Sequence, residues 1–209
     1  MVENLESGSQ KMDKETFINR IKQAEKSLAD VPFPTYTKED TTSTTATAGT
    51  PKEAFVRNFT TNHGNVFESE TALIQFLKDK GCKRGVADML LADALSLENH
   101  FELVREFDRE TPEIYDFGIS KASMAVGENG AIVIKDKDTA DRMATIAPWI
   151  HIAVLNEVDI EATITDALAK TIDCPYAIWI TGPSKTTDVE GVLVEGVHGP
   201  GVQICFIKK

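Results

Sequence analysis

Residues 150–155 read IHIAVL, a run of β-branched and apolar residues that is typical of a buried β-strand. Two further runs of this kind follow, YAIWI at 176–180 and VQICFI at 202–207. Segments with the apolar period of amphipathic helices lie between such strands. Apolar strands that alternate with helices are typical of a mainly parallel sheet with both faces covered. The sequence therefore predicts an α/β domain with three layers, α/β/α.

Capping signals mark where several of the helices begin and end. Thr50, followed by Pro51 and Glu53, has the pattern of a capping box with proline at the first helical position. Ser69 is placed to cap the next helix, and Gly81 is placed to end it. These signals predict one helix from about residue 51 and a second from about residue 70.

Further helices and one hairpin are predicted between residues 89 and 169. Residues 89–95 are apolar enough for a short helix, Asp138 is predicted to cap a helix that runs through Met143, and Asn156 is predicted to cap another. Within residues 119–134 the turn Gly127-Glu128-Asn129-Gly130 separates two apolar runs. An Asn-Gly pair in that setting predicts a β-hairpin.

The first 50 residues have a different character from the rest of the chain. Residues 1–12 are polar, and Asp13 is placed to cap a helix that carries Phe17 and Ile21 on one face. Residues 41–50 read TTSTTATAGT, a polar run without an apolar period, which predicts a flexible tether. We therefore predict an N-terminal helical arm with a Thr-rich linker at 1–50 and an α/β domain at 51–209.

Composition excludes several classes of function. The net charge of −11 disfavours binding to nucleic acid, since no run of lysine and arginine offsets it. No stretch has the length of a membrane helix, and the polar start does not resemble a signal peptide. We therefore expect a cytoplasmic protein that binds neither nucleic acid nor membrane.

The cysteines and most of the histidines lack the spacing of a metal site. Cys82, Cys174 and Cys205 are far apart in the chain, so we expect small core or strand residues and no metal. Three of the histidines also lack ligand spacing and are predicted at the surface or at helix ends, namely His63, His100 and His151.

The first candidate site segment is Thr181-Gly182-Pro183-Ser184-Lys185-Thr186-Thr187-Asp188, which directly follows the strand at 176–180. A buried strand that ends in Gly-Pro-Ser is expected to turn at the carboxyl edge of the sheet, where α/β proteins bind ligands. The hydroxyls, the backbone amides and the lysine of this turn could hold a carboxylate or a phosphate. Asp188 could be an acid, a base, or the fixed partner of Lys185 or His198.

The second segment is Gly196-Val197-His198-Gly199-Pro200, in which a histidine lies between glycines beside a proline. An imidazole there could transfer a proton or donate to an anion, or it could bond only to its own loop. Glu128 at the hairpin tip is a third candidate, as a nucleophile or general base, although a turn glutamate is more often simply solvated.

Together these segments resemble the LUD domain, the family of lactate utilization protein C, over about residues 50–209. The resemblance rests on three blocks: 118–133, 182–190 and 196–200. Two departures from the family pattern concern possible ligand contacts. Asn129 and Ala131 stand where hydroxyl residues are usual, and Lys185 stands where arginine is commoner, which keeps the charge but loses the bidentate fork.

The resemblance implies a fold like that of ribose-5-phosphate isomerase, glucosamine-6-phosphate deaminase and the CoA-transferases. It also implies a subunit of an iron–sulfur system that oxidises L-lactate to pyruvate, with the clusters in partner proteins and none bound by this chain. From the residues, we assign catalytic roles to His198, Asp188 and Glu128. Ligand-binding roles are assigned to Gly182, Ser184, Lys185, Thr186 and Gly199. The alternatives are a stand-alone enzyme that acts on a sugar phosphate or an acyl-CoA, and a protein that only binds an anion.

Overall fold

The computed structural model describes residues 13–27, 35, 37, 40, 42–88, 91, 95–139, 141–187 and 191–209. The described residues up to 37 belong to one compact unit, and those from 40 onward belong to another. The expectations for residues 1–12 and for most of 89–95 lie outside this part of the chain. No described helix has the length and the apolar character that crossing a membrane requires.

The described helices are α1 (Lys14–Ser27), α2 (Pro51–Thr61), α3 (Glu70–Asp79), α4 (Met143–Ile146) and α5 (Ile164–Ala169). The strands are β1 (Asn65–Phe67), β2 (Arg84–Ala87), β3 (Glu102–Val104), β4 (Phe117–Lys121), β5 (Met124–Val126), β6 (Ala131–Lys135), β7 (Ile150–Asn156), β8 (Ile160–Glu161), β9 (Ala177–Ile180), β10 (Lys185–Thr187), β11 (Leu193–Glu195) and β12 (Val202–Lys208). Single 3₁₀ turns lie at Leu97–Asn99, Pro112–Ile114, Asp136–Asp138 and Glu157–Asp159.

The helix of the first unit, α1, begins where its capping signal predicts. Asp13 Oδ1 accepts from the Thr16 backbone amide at 2.9 Å, and Oδ2 accepts from the Thr16 hydroxyl at 2.7 Å. These hydrogen bonds hold the pKa of Asp13 below its ordinary value. The Asp13 cap is thus confirmed.

The helix starts at Thr50 and Ser69 are also confirmed. The Thr50 side chain accepts from the Glu53 amide while the Glu53 carboxylate accepts from the Thr50 amide, which completes the capping box of α2. The Ser69 side chain accepts from the Ala72 amide at the start of α3. Gly81, with φ +76°, follows the end of α3.

A six-stranded parallel sheet forms the centre of the second unit, with strand order β1-β12-β7-β4-β2-β3. The run IHIAVL becomes β7, which pairs with β12 from Ile150↔Val202 to Asn156↔Lys208 and with β4 on its other side. The predicted α/β class with a mainly parallel sheet is therefore confirmed.

Alternate residues of the central strands face two different hydrophobic clusters. On one face Ile152 and Val154 pack with Leu73 and Leu77 of α3. On the other face the strand residues Ala153, Leu155, Cys205 and Ile207 pack with α2 and with a second sheet. Both faces of the sheet are therefore covered, which explains why β7 and β12 are apolar along most of their length.

The second sheet has four strands in the order β8-β5-β6-β9. The predicted hairpin is confirmed as β5 and β6, which pair antiparallel from Met124↔Val133 to Val126↔Ala131. Strand β9 pairs antiparallel with β6, so placing the strand at 176–180 in the parallel sheet was wrong. An apolar run satisfies either sheet equally well, and only long-range pairing decides between them.

Two predicted helix starts are also wrong, and local polar contacts explain both. Asp138 lies within a 3₁₀ turn, and α4 begins at Met143, whose amide donates to Asp141 Oδ1 at 2.9 Å. Asn156 ends β7 and donates to Asp159 Oδ2 at 2.9 Å, while α5 begins later behind a Thr163 cap. The Asn156 side chain thus stabilises a turn in place of a helix start, and Asp141 takes the position at the start of α4 that was predicted for Asp138.

The described part of the Thr-rich segment is hydrogen-bonded to α2. Arg57 donates to the carbonyl oxygens of Ala48 at 3.0 Å and Ala46 at 2.9 Å, and the Asn58 amide also donates to Ala46 O at 2.9 Å. The Ser43 amide donates to Glu128 Oε1 at 3.2 Å. Residues 43–48 are thus anchored to the second unit, unlike the flexible tether expected from their composition, while the domain boundary at residue 50 stays a prediction.

We expect a chain of residues 38–209 to unfold in one cooperative transition, because the buried clusters are formed by residues from Phe55 onward. A chain of residues 50–209 should also unfold cooperatively, but its free energy of unfolding should be about 1–3 kcal/mol lower, because Arg57 and Asn58 lose their hydrogen bonds to Ala46 and Ala48. Urea denaturation followed by circular dichroism measures both. A non-cooperative transition in the longer chain would place part of the core within residues 1–37.

Candidate functional site

Backbone hydrogen bonds of Ser184 join the two loops that the sequence singled out. The Ser184 amide donates to Pro200 O at 2.9 Å, and the Gly196 amide donates to Ser184 O at 2.8 Å. Both ends of the 196–200 loop are therefore bonded to one residue of the 181–184 turn, so the two loops lie side by side.

Three glycines allow this close packing. Gly196 has φ +83°, and a Cβ there would overlap the ring of Trp149. A Cβ on Gly199 would lie 3.3 Å from Ser184 Cβ, and a Cβ on Gly182 would overlap the carbonyl oxygen of Asn62. Any larger residue at Gly182 or Gly196 would force the backbone apart.

A cavity of about 250 Å³ lies between these loops and the two sheets. Its polar lining residues are Thr145, Thr181, Ser184, His198 and Gln203. Its apolar lining residues include Ile178, Trp179 and Ile180 of β9. His198 and Gly199 also line a neighbouring cavity of about 410 Å³, beside Trp149 and Tyr115.

This cavity of about 250 Å³, named the 182–203 cavity after its lining residues Gly182 and Gln203, lies at the amino end of the central sheet, because its lining residues Pro200 and Gln203 flank the start of β12. The Val202 amide donates to Trp149 O at 3.1 Å, which joins the start of β12 to the residue that precedes β7. The expectation that these loops lie at the carboxyl edge of the parallel sheet was wrong, since it depended on β9 as a member of that sheet. The side-by-side arrangement of the loops comes from Ser184 instead.

The structure brings four of the predicted site residues to this cavity: Gly182, Ser184, His198 and Gly199. Lys185 is directed elsewhere, because its ammonium donates to Asn62 O at 3.0 Å and lies 3.9 Å from Glu195 Oε1. Thr186 pairs with Val194 in the β10–β11 hairpin. Asp188 lies outside the described residues, so its role stays a prediction.

The carboxylate of Glu128 is occupied by backbone amides. Its Oε2 accepts from the Ile164 amide at 2.8 Å, in the first turn of α5, and its Oε1 accepts from the Ser43 amide. Glu128 is not one of the described residues that line the 182–203 cavity. These contacts favour a structural role, in which the carboxylate stabilises the helix start.

Sequence reasoning missed a buried row of hydrogen-bonded polar residues behind the cavity, formed by Ser120, His151 and Gln203. His151 is completely buried in β7, so its prediction as a surface or helix-end residue was wrong. Its Nδ1 lies 2.8 Å from Gln203 Nε2, and its Nε2 lies 3.1 Å from Ser120 Oγ. Burial lowers the pKa of His151 to about 4, against a smaller opposing effect of the Gln203 hydrogen bond, so the ring is neutral near pH 7.

The sequence contains a signal for the pairing of His151 with Gln203. The second residue of IHIAVL is His151 and the second residue of VQICFI is Gln203, so each apolar run is interrupted at the same place. The strand register places these two residues opposite each other. A polar residue inside an apolar strand needs a partner, and matching interruptions in two strands indicate where that partner lies.

The predicted core character of the cysteines holds for two of the three. Cys82 and Cys205 are buried, and burial raises the pKa of Cys82 to about 11 and that of Cys205 further. Cys174 is partly exposed. Within the described part of the chain, no three His, Cys, Asp or Glu residues are grouped so that they could hold a metal ion.

A separate cavity of about 340 Å³ lies at the carboxyl ends of β2 and β3, lined in part by Asp88 and Arg105. Two of the polar side chains of this cavity, Asp88 and Arg105, have protein partners. The Thr139 hydroxyl donates to the buried Asp88 carboxylate, and Arg105 donates to Leu91 O at 2.7 Å. The 182–203 cavity is the candidate site, because it brings together Ser184 and His198 from the two segments that the sequence singled out.

The polar groups of the candidate site suit a small carboxylate. The Ser184 and Thr181 hydroxyls and the His198 imidazole can donate to an anion, and no lysine or arginine occurs among the described residues that line the cavity. Donors of this kind match a single negative charge better than the higher charge of a phosphate ester or a CoA group.

Together, the fold and this cavity define an α/β protein with a candidate small-molecule site beside a mainly parallel sheet. Residues 52–207 match the LUD domain. Since the match covers most of the chain, the protein belongs to the LUD domain family, as the resemblance of its three motif blocks indicates.

Curated relatives of the chain carry the name lactate utilization protein C. The relative from Shouchella clausii is 29% identical over 130 residues, 59% of this chain and 56% of its own length. The Bacillus subtilis relative is 32% identical over 98 residues, 43% of this chain and 40% of its own length. The chain spans about half the length of the curated relatives it matches.

A solved structure of a DUF162 family protein from Deinococcus radiodurans supports the fold. It superposes with a TM-score of 0.57 at 18% identity, over 77% of this chain and 99% of that one. The likeness to ribose-5-phosphate isomerase, glucosamine-6-phosphate deaminase and the CoA-transferases stays a prediction.

We predict that Glu128→Ala lowers the free energy of unfolding by about 1 kcal/mol, because two backbone amides lose their acceptor. Glu128→Gln keeps an acceptor oxygen and should cost less. Urea denaturation measures the loss, and ligand titration of the same variants should show unchanged affinity. A loss of ligand affinity with unchanged stability would instead support the catalytic role that the sequence suggested.

The buried histidine should make the fold sensitive to acid. Because the pKa of His151 is about 4 in the folded state and ordinary in the unfolded state, the unfolded chain binds an extra proton between about pH 6.5 and pH 4. This difference lowers the free energy of unfolding by up to about 1.4 kcal/mol per pH unit as the pH falls through that range.

The measurement is a series of urea denaturation curves from pH 7 to pH 4 for the parent and for His151→Gln. In the variant, the free energy of unfolding should change less steeply with pH, by up to about 1.4 kcal/mol per pH unit, whatever its stability at pH 7. His100→Gln is the matched control, since the His100 side chain is exposed and its ring stays in water in both states. Equal slopes for the parent and His151→Gln would show that the pKa of His151 is not lowered in the folded protein.

Proposed function

We propose that this protein takes part in lactate utilization and that the 182–203 cavity binds L-lactate as its carboxylate anion. The observation that carries this proposal is the meeting of Ser184 and His198 from two separate loops at one small cavity. The names of the LUD-family relatives indicate the physiological context.

In this proposal the Ser184 hydroxyl and the His198 imidazole donate to the lactate carboxylate. The small size of the cavity suits a three-carbon acid, and its apolar wall from β9 suits the methyl group. His198 is exposed at the rim, where an approaching anion meets it first. The ligand is thus bound by neutral donors and one imidazole.

We further propose that the chain is one subunit of a system that oxidises L-lactate to pyruvate in the cytoplasm. The electrons would pass to iron–sulfur clusters in partner proteins, since the spacing of the three cysteines in this chain does not suit a cluster. The contribution of this chain is to hold the hydroxy acid. Its acidic surface disfavours nucleic acid and anionic membranes as partners.

Titration calorimetry of the purified chain with L-lactate tests the binding proposal. Ser184→Ala and His198→Ala should each weaken binding by about 10-fold or more, because each removes a hydrogen bond to a charged group. His100→Ala is the matched control and should bind as the parent does, since His100 lies outside the cavity. If L-lactate at millimolar concentration gave no heat of binding, the proposal would be contradicted.

A growth assay tests the physiological role. Deletion of the gene should abolish growth on L-lactate but not on pyruvate, and complementation with His198→Ala should restore growth only weakly. Turnover of a sugar phosphate or a CoA ester by the purified chain alone, with unimpaired growth on L-lactate, would instead support the stand-alone enzyme.

A further inference from the structure

A second cavity lies beside the candidate site, and exposed apolar side chains surround it. Its volume is about 410 Å³, and Ile146, Trp149 and Val197 are among its lining residues. We name it the Trp149 cavity. It shares Ile146, His198 and Gly199 with the 182–203 cavity, so the two cavities are neighbours.

Trp149 is highly exposed for an aromatic residue of a folded domain, with 56% of its surface in contact with solvent. Ile146 and Val197 are also exposed, at 47% and 52%. Single exposed apolar residues are common on protein surfaces, but several around one concave region are typical of a binding site. The grouping at the Trp149 cavity therefore indicates a ligand that covers the indole.

The Trp149 ring has a fixed position at the start of the central sheet. The Trp149 carbonyl oxygen accepts from the Val202 amide at 3.1 Å. A Cβ on Gly196 would lie 2.4 Å from Trp149 Cη2, and a Cβ on Gly201 would lie 2.3 Å from Trp149 Cζ2. The same Cβ on Gly196 would lie 3.0 Å from Gly201 Cα, so the two glycines are neighbours. The six-membered part of the indole thus packs directly against backbone, while more than half of the residue stays open to solvent.

The charges at the Trp149 cavity favour a cation. Glu113 is the only acidic residue among the described residues that line it, and no lysine or arginine occurs among them. The Arg84 guanidinium lies 5.7 Å from the ring centroid of Tyr115, another lining residue, but Arg84 pairs with Glu102 at 3.4 Å. The net charge of the chain is −11, which also favours a positively charged ligand over a negatively charged one.

An exposed indole and a carboxylate together suit an organic cation. The face of an aromatic ring attracts positive charge, and tryptophan does so most strongly among the aromatic side chains. Pyridinium rings and quaternary ammonium groups combine a positive charge with apolar surface, so they can cover the indole while their charge lies near Glu113.

We propose that the Trp149 cavity binds an organic cation, which contacts the exposed indole of Trp149 while the Glu113 carboxylate balances its charge. The ligand site is separate from the proposed lactate site, and the inference does not depend on lactate binding. The competing explanation is that another protein chain covers the exposed apolar residues.

Titration calorimetry of the full chain with two matched probes tests the preference for positive charge. 1-Methylnicotinamide is a planar pyridinium cation, and nicotinamide has the same ring without the charge. The parent should bind 1-methylnicotinamide about 5-fold more tightly than nicotinamide, as expected for a cation–π contact. Equal affinities for the two probes, or no heat of binding from the cation at millimolar concentration, would overturn the proposal.

Choline distinguishes the two kinds of organic cation. If choline binds as tightly as 1-methylnicotinamide, the proposal is supported for quaternary ammonium groups in general. A clear preference for 1-methylnicotinamide supports it for planar cationic rings.

Substitution of Trp149 tests the contact with the indole. Trp149→Phe keeps an aromatic ring and should weaken binding of 1-methylnicotinamide about 3-fold, whereas Trp149→Leu removes the ring and should weaken it about 10-fold. Trp179→Phe is the matched control, since Trp179 lies in β9 and does not line the Trp149 cavity. A Trp149→Leu chain that binds the cation as tightly as the parent would contradict the role of the indole.

Glu113→Gln tests the charge without disturbing the core, because the Glu113 side chain is exposed. Its affinity for 1-methylnicotinamide should fall toward that for nicotinamide, while its affinity for nicotinamide should be unchanged. Glu110→Gln is the matched control, since Glu110 is exposed nearby in the chain and does not line the cavity. Equal losses in both variants would show that only the overall negative charge attracts the cation, which contradicts the role of Glu113.

Sedimentation of the parent tests the competing explanation. We expect the same sedimentation coefficient at low and high protein concentration. Self-association that Trp149→Leu abolishes, in a chain that binds neither 1-methylnicotinamide nor choline, would assign the exposed residues to a contact between protein chains and overturn the proposal.

Discussion

The pairing of β7 with β12 is the constraint on which the rest of the second unit depends. The two strands pair along seven residues each, in parallel and at the centre of the six-stranded sheet. Their alternate side chains enter the two large hydrophobic clusters, so α2, α3 and the second sheet all pack against them. A shift of one residue in this register would move every apolar side chain to the opposite face. The sheet therefore has one stable register, and the surrounding elements are placed by it.

The same register places the candidate site. Because Val202 and Ile150 begin the pairing together, Trp149 and Gly201 meet at the amino end of the sheet. The 196–200 loop must then lie beside that edge, and the backbone of Ser184 holds it against the end of β9. The cavity lies between β9 of the second sheet and β12 of the central sheet, with the loops closing the space between them. Its position thus depends on sheet packing more than on any single motif.

Burial and charge give this site its chemical character. The lining residues are mostly neutral, and the buried imidazole of His151 stays uncharged because the sheet excludes water from it. Lys185, which the sequence motif favours as a ligand contact, is bonded to the carbonyl oxygen of Asn62 at the outer side of the loops. Glu128 is likewise used for the backbone of α5. The charges that the motifs contain therefore stabilise the loops, and neutral donors and acceptors face the cavity.

The sequence by itself determined the α/β class, the hairpin, the caps at Asp13, Thr50 and Ser69, and the two loops of the site, because each depends on residues close together in the chain. The tertiary structure alone decided that β9 joins the second sheet, that Asp138 lies in a 3₁₀ turn, that Asn156 stabilises a turn, and that His151 is buried. The sequence of an apolar strand does not specify which strand it pairs with. Whether a polar residue is buried likewise depends on residues that are distant in sequence. The site combines both kinds of information. Ser184 and His198 are visible in local motifs, whereas Gln203 became a candidate only when the register placed it beside His151 at the cavity wall.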